Sequence, residues 1–253
     1  MRYGLCGKAD IYDIAEKAGF DYVELPVNWV AGLSDEDWQE LLKTAHAHTI
    51  KCERMNLLYP KTMNLFSVDR QEETAYLERA FSCARALGAT IAVYGSGKSR
   101  MIPSGMDYKS AMLVLVEHAR LASDIALKYG VSIVLEPLNR AETNSLHSVA
   151  EGGMFAVAVD RPNFALLADM FHMCKEDENW NDLDDAGSLI RHTHIAVRDG
   201  RKYPLSDADP DTIAFLDHLK RIGYDDTLSI EGKSEDIKED APVALAVLRR
   251  LHG

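Results

Sequence analysis

"VSIVLEPLNRAETN", residues 131–144, begins like a buried strand and ends in charge. Val131 to Leu135 is apolar apart from Ser132, then Glu136 and Pro137 arrive, and a second acid, Glu142, stands six residues after the first. Before it lies a long amphipathic run, Tyr108–Tyr129, with Leu113, Val116, Ala119, Leu121 and Ile125 along it and Gly130 at its close. That is helical periodicity followed by a short apolar strand, the repeating unit of a parallel α/β sheet.

The same alternation continues on both sides. Upstream, Tyr3–Cys6, Tyr22–Leu25, Cys52–Leu57 and Thr90–Tyr94 read as strands. Between them lie helices over Ile11–Ala18, from Ser34 with Asp37 three residues on, and from Asp69 to a stop at Gly88. Downstream, strands at Phe164–Ala168, His192–Ala196 and Thr227–Ile230 alternate with helices at Ser148–Val159, Leu183–Leu189, Asp211–Ile222 and Pro242–Leu251. Eight strand–helix units in 253 residues predict a single (β/α)8 TIM barrel occupying residues 1–253 as one domain, not a doubly wound sheet. No Ser/Gly tract or low-complexity segment suggests a linker.

Composition narrows the function classes. Hydrophobic residues make up 47% and charged ones 27%, as in ordinary globular proteins. A formal net charge of −12 repels polyanions, so no nucleic-acid partner is expected. No apolar run nears the ~18 residues of a membrane span, and Arg2, Tyr3 and Lys8 interrupt any leader-like start. Cys6, Cys52, Cys83 and Cys174 lack CxxC spacing and read as reduced thiols of a cytoplasmic protein. Assembly into a homo-oligomer is left open.

In such a barrel the active site lies where the strands end. Strand five ends on Glu136. Strand six, "FALLADMFH", reaches Asp169 with His172 three residues on. Strand seven, "RHTHIAV", carries His192 and His194 on one face, and strand eight, "LSIEGK", ends on Glu231. Strand two ends similarly with Glu24. A single acid after a strand is ordinarily a cap or loop residue; four polar ends in register are not explained by capping. Three neighbouring carboxylates repel unless a cation lies between them. Three oxygens and one imidazole suit Mn²⁺, Mg²⁺ or Co²⁺ better than structural Zn²⁺.

"EPLNRAE", "ADMFH", "HTHIAVRDGR" and "SIEG", in this order, resemble the xylose isomerase-like barrel superfamily, and within it the sugar isomerase/epimerase group of ketose 3-epimerases and hydroxypyruvate isomerases. The resemblance implies one divalent metal, Mn²⁺ ahead of Mg²⁺, Co²⁺ or Zn²⁺, held by Glu136, Asp169, His194 and Glu231. It gives Glu136 and Glu231 the catalytic proton transfers beside a carbonyl, through a cis-enediolate. Glu142 and His172 would hold a small-molecule sugar or hydroxy-carbonyl substrate, joined by an arginine after strand seven. Arg198 and Arg201 are both candidates, and neither falls where the ketose 3-epimerases have theirs. A keto-sugar dehydratase on the same metal is the alternative. An apurinic-site endonuclease is the remote one, since the histidines it needs on strands two to four are replaced by Asn56 and Tyr94.

Other signals are read plainly. His192 is expected one layer deeper as a barrel-core histidine, or else as a support for a ligand. Cys6 and Trp29 are either a pocket wall or packing. His46, His48, His118 and His147 read as surface groups. "AVYGSGKSR", residues 92–100, nearly matches a phosphate-binding loop but lacks the helix that should follow. It reads as a mobile rim loop from which Lys98 or Arg100 could reach an anionic group. "KEDENWNDLDD", residues 175–185, reads as a solvated loop and helix start, with Trp180 folding over the pocket.

Overall fold

Five of the helices longer than ten residues start where a short polar side chain accepts a hydrogen bond from the exposed first turn. Ser34 takes the amide of Asp37, Asp69 those of Gln71 and Glu72, Asp107 that of Ser110, Ser148 that of Glu151 and Asp209 that of Thr212. Each bond satisfies a donor that the helix itself leaves unpaired. In the computed structural model, which describes residues 1–252, the chain runs β1 (Arg2–Cys6), α1 (Ile11–Ala18), β2 (Tyr22–Pro26), α2 (Val27–Ala31), α3 (Asp35–Ala47) and β3 (Lys51–Asn56). It continues through α4 (Arg70–Leu87), β4 (Ile91–Tyr94), α5 (Tyr108–Lys128), β5 (Ser132–Leu135), α6 (Val149–Val159) and β6 (Phe164–Asp169). It ends with α7 (Met170–Lys175), α8 (Asn181–Ala186), β7 (Ile190–Ile195), α9 (Pro210–Arg221), β8 (Thr227–Ile230) and α10 (Ile237–His252). All neighbouring strands are parallel, and β8 closes on β1, completing the expected (β/α)8 barrel. No helix of the described residues is long and apolar enough to cross a membrane.

The bore is chemically divided. On one side Ile91, Val93, Val134 and Leu167 form an apolar cluster of their own. On the other, polar groups are stacked. The Tyr22 hydroxyl meets Ser229 Oγ at 2.8 Å, and its ring fills the space that a Cβ on Gly4 would need, 2.2 Å away. Below, the buried Arg54 donates to Thr227 Oγ1 at 3.1 Å and Thr90 Oγ1 at 2.8 Å, and it pairs with Asp226 at 3.2 Å. One cation thus ties β3 to the starts of β4 and β8.

Several local expectations are corrected. The last helix opens at Ile237, not Pro242: a proline six residues in deprives only the Lys238 carbonyl, and Ala241, Ala244, Leu245 and Leu248 bury one continuous face. The helix expected over Leu183–Leu189 is displaced to Asn181–Ala186 and tightens into a 3₁₀ turn at Gly187–Leu189. The short α2 and α7 were not foreseen, because five or six residues carry too little periodicity. His118 and His147 are buried, not superficial: His118 Nδ1 lies 2.7 Å from Glu73 Oε2, and His147 Nδ1 3.0 Å from the Leu138 carbonyl. Trp180 packs edge-on to Phe215, with ring centres 6.1 Å apart, in the outer helical layer and not over the barrel mouth.

Two stability predictions follow from these contacts. Arg54→Ala leaves two threonine hydroxyls without their donor and should cost about 2–3 kcal/mol in urea unfolding; an unchanged midpoint would show that the cation ties nothing. Glu178 accepts the Val149 amide at 2.8 Å at the start of α6, and burial pushes its carboxyl up to about 7. The folded chain therefore keeps a proton there that the unfolded chain loses near pH ~4.3. Stability should fall as pH rises from about 4.3 to about 7, and Glu178→Gln should flatten that slope by about 1–3 kcal/mol between pH 5 and pH 8.

Candidate active site

The four ligand candidates meet at the C-terminal mouth of the barrel. Glu136 directly follows β5, Asp169 ends β6, His194 lies in β7 and Glu231 directly follows β8. One donor atom from each falls within 4.8 Å of all the others. His194 Nδ1 sits in the middle, 3.2 Å from Glu136 Oε1, 3.6 Å from Glu231 Oε2 and 3.8 Å from Asp169 Oδ2. Each side chain is held in place by its local chain. Asp169 caps α7 by accepting the His172 amide at 3.1 Å. Glu136 lies against Gly95, where an added Cβ would come within 1.7 Å of its Oε2. Asn56, at the end of β3, donates to Glu231 Oε1 at 2.6 Å.

Behind His194 is a fully buried carboxylate. Glu24 Oε1 lies 3.0 Å from His194 Nε2 and its Oε2 lies 2.9 Å from His192 Nε2. Burial alone would raise the Glu24 carboxyl; the two imidazoles outweigh it and hold the group well below the usual range. The carboxylate accepts only, so His194 Nε2 carries the hydrogen and Nδ1 turns its lone pair to the mouth when the ring is neutral. Burial pushes His192 down, towards its neutral form, and with Nε2–H directed at Glu24 its Nδ1 takes the Thr227 hydroxyl at 2.9 Å, the same oxygen that accepts from Arg54. Both readings of His192 therefore hold: it is buried in the bore, and it supports His194 through Glu24.

The cluster attracts positive charge. Burial would push the His194 imidazolium down, yet Glu24 and Glu231 hold it well above its ordinary value. Burial raises the Glu136 carboxyl, and repulsion from Glu231 and Asp169 adds to that despite His194. Glu231 is lowered to about 2, because His194 and Arg201 outweigh its burial. Three hard oxygens and one imidazole, converging and not neutralised among themselves, fit a divalent cation. A second grouping of Cys6, Glu24 and His194 does not, because both Glu24 oxygens are already taken by the two imidazoles.

Around this cluster stand the substrate candidates. Arg201, with a left-handed backbone at φ 54°, donates to Glu231 Oε2 at 2.5 Å and to Glu142 Oε1 at 3.3 Å, and lies over the Phe171 ring at 4.9 Å. Arg198 points away, exposed and paired with Asp177 at 2.6 Å and Asp211 at 3.0 Å. The structure thus brings one of the two arginines to the site and not the other. His172 Nδ1 accepts the Asn139 amide at 3.1 Å, so its hydrogen sits on Nε2, which is buried without a partner and 4.0 Å from Asp169 Oδ2. Beside Glu136 a cavity of about 570 Å³ opens, lined by the loops after β3 and β4 and by Glu142. Lys98 lines it, but Arg100 does not: it is fully buried and donates to the carbonyls of Glu136 at 2.8 Å and Tyr94 at 3.3 Å. Trp29 is half-buried against the core with Lys8 over its ring, which is the packing reading; Cys6 is half-buried beside the cluster.

The roles of Asn56, Asn139 and Glu24 are not legible in the sequence: Glu24 reads there as one more strand-end acid, and only the closed barrel brings its oxygens onto His192 and His194.

Comparison with known proteins agrees with this architecture. The family described as xylose isomerase-like TIM barrel matches residues 12–251. A D-psicose 3-epimerase of Agrobacterium fabrum is 29% identical over 195 residues, covering 73% of this chain and 66% of its own length. A ketose 3-epimerase of Arthrobacter globiformis is 30% identical over 168 residues, covering 64% and 55%. This chain thus spans between about half and two thirds of the length of these curated relatives. A crystal structure of D-psicose 3-epimerase in the presence of D-fructose superposes with a TM-score of 0.86 at 24% identity over 100% of both chains, which establishes the shared fold. With nearly the whole chain matched and the barrel closed as that fold requires, the protein belongs to the xylose isomerase-like TIM barrel family.

Proposed function

We propose that the protein is a divalent-metal-dependent epimerase or isomerase of a small keto-sugar or sugar acid, with Mn²⁺ as its metal and the cytoplasm as its place of work. The observation that carries this reading is the four-residue cluster at the barrel mouth, ringed by Arg201, His172 and Glu142. The relatives named above are epimerases of ketoses, which supports the substrate class.

Glu136, Asp169, His194 and Glu231 would hold the ion. When bound, it would act as a Lewis acid on the charge that develops on the carbonyl oxygen as the neighbouring C–H proton leaves. The remaining work belongs to the chain. Glu136 and Glu231 approach the cluster from different strands, so a substrate between them meets a carboxylate on each side. One removes the proton and the other returns one. Return to the opposite face of the same carbon yields an epimer; return to the neighbouring carbon yields an aldose–ketose isomer. Arg201 and Asn56 fix the Glu231 carboxylate, while Gly95 and the Arg100 contact to its carbonyl fix Glu136. The His172 Nε2–H, otherwise unpartnered, is placed to donate to a substrate oxygen, and the Glu142 carboxylate to accept a hydroxyl hydrogen.

The test is proton exchange in D₂O. Protein loaded with one equivalent of Mn²⁺ should place deuterium beside the carbonyl of a ketose, and chelation should abolish the exchange. Exchange at C3 identifies the epimerase and at C1 the isomerase. Net water loss would identify the dehydratase, and no exchange with any ketose would overturn the reading. Glu136→Gln and Glu231→Gln should each lower kcat by about 10²–10⁴-fold. Arg201→Ala should lower kcat/KM by about 30–100-fold through loss of a charged contact, whereas Arg198→Ala should stay within about twofold, as expected of a surface pair.

A further inference from the structure

The cavity beside Glu136 has a wall whose charge the reaction does not require. Lys61, in the loop after β3, and Lys98, in the loop after β4, both line it, together with Asn28, Tyr59, Ser96 and Glu142. Neither lysine has an ion-pair partner among the described residues, and neither is taken up as some other cations around the barrel mouth are. Lys8 lies over the Trp29 ring, Arg198 is paired with Asp177 and Asp211, Arg201 with Glu142 and Glu231, and Lys202 with Glu235. In a chain of net charge −12, this one cavity thus carries two unpaired cations and a single acid.

The two loops also hold each other. Tyr59 donates its amide to Ser96 Oγ at 2.8 Å, and Leu65 donates its amide to the Ser99 carbonyl at 2.9 Å. The turn that carries Lys98 is pinned from within by Ser99 Oγ on the Ser96 carbonyl at 2.7 Å, and from the β5 side by Thr143 Oγ1 on the Gly97 carbonyl at 3.3 Å. The expectation of a mobile loop at this position therefore fails, because its backbone is cross-linked to two neighbours. Lysines presented from cross-linked loops keep their bases fixed relative to the cavity, which lowers the ordering cost of receiving a ligand.

We propose that the substrate ends, at the side remote from the reacting carbonyl, in an anionic group, and that Lys61 and Lys98 receive it. This rests on the keto-sugar reading above and narrows it to ketoses bearing a carboxylate or a phosphate. A volume of about 570 Å³ leaves room for a substituent beyond the reacting carbons. Glu142 is the one acid on this lining, and it is already paired with Arg201, so it does not cancel the two lysines.

D-Fructose, D-fructuronate and D-fructose 6-phosphate differ only at C6 and serve as neutral, carboxylate and phosphate probes. Equilibrium binding to the Mn²⁺-loaded protein is measured by calorimetry for the wild type, Lys61→Ala/Lys98→Ala and Lys61→Arg/Lys98→Arg. At least one anionic sugar should bind about tenfold or more tighter than D-fructose, as charge-assisted contacts allow. That preference should fall towards unity in the double alanine variant, survive in the double arginine variant and weaken with added salt. Which sugar gains separates carboxylate from phosphate. D-Fructose binding as tightly as both anions, or a preference unchanged in the double alanine variant, would overturn the proposal. Because binding is read without turnover, its failure is distinct from a failure of ketose exchange.

Discussion

Glu24 has no exposed surface, and both of its oxygens face imidazole nitrogens. A buried carboxylate is tolerated only when charge and hydrogen bonds compensate it. Here His192 and His194 do so, and in return Glu24 dictates what His194 can offer. The hydrogen is held on Nε2, so Nδ1 points its lone pair at the three carboxylates of the mouth. The constraint then runs down the bore, from Glu24 through His192 and Thr227 to Arg54. Glu24, His192, Thr227 and Arg54 thus form one continuous hydrogen-bonded column, and Ile91, Val93, Val134 and Leu167 form the apolar side of the bore.

At the top of this column, like charges are gathered deliberately. Glu136, Asp169 and Glu231 come from three strands that the barrel forces together, and the single arginine that reaches them, Arg201, adopts a left-handed backbone to do so. For a residue with a Cβ that conformation is uncommon and costs energy, and such strain gathers at functional sites. One guanidinium spread over Glu142, Asp169 and Glu231 does not neutralise the set. In the function proposed above, an ion at the centre would complete the electrostatics and leave Arg201, His172 and Glu142 to face the substrate instead of one another.

Much of this was legible in the residues. The alternation of short apolar runs with helical stripes foretold the eight strands, because a strand buried on both faces has few ways to be written. The four ligand candidates were legible because each stands at or beside the C-terminal end of a strand, and those ends share one rim. What escaped the reading depends on three-dimensional routing. Arg198 and Arg201 are three residues apart in a loop, and the fold turns Arg201, with its left-handed backbone, onto Glu231 while Arg198 pairs outward with Asp177 and Asp211. Arg100 looked like a loop cation, yet its guanidinium turns inward to the carbonyls of Tyr94 and Glu136. His118 sits on α5 at a position where periodicity leaves polar and buried readings open, and the buried Glu73 of α4 settles it. Asn56 carried no motif at all; its role exists only because β3 ends opposite Glu231 across the mouth.

The most direct test of this account is anomalous X-ray diffraction from crystals grown with Mn²⁺. The account predicts one ion touching Glu136, Asp169, Glu231 and Nδ1 of His194, with Nε2 of His194 still on Glu24. An ion bound through Nε2, an ion seated on Cys6 and Glu24, or four side chains with no shared ion in saturating Mn²⁺ would contradict it.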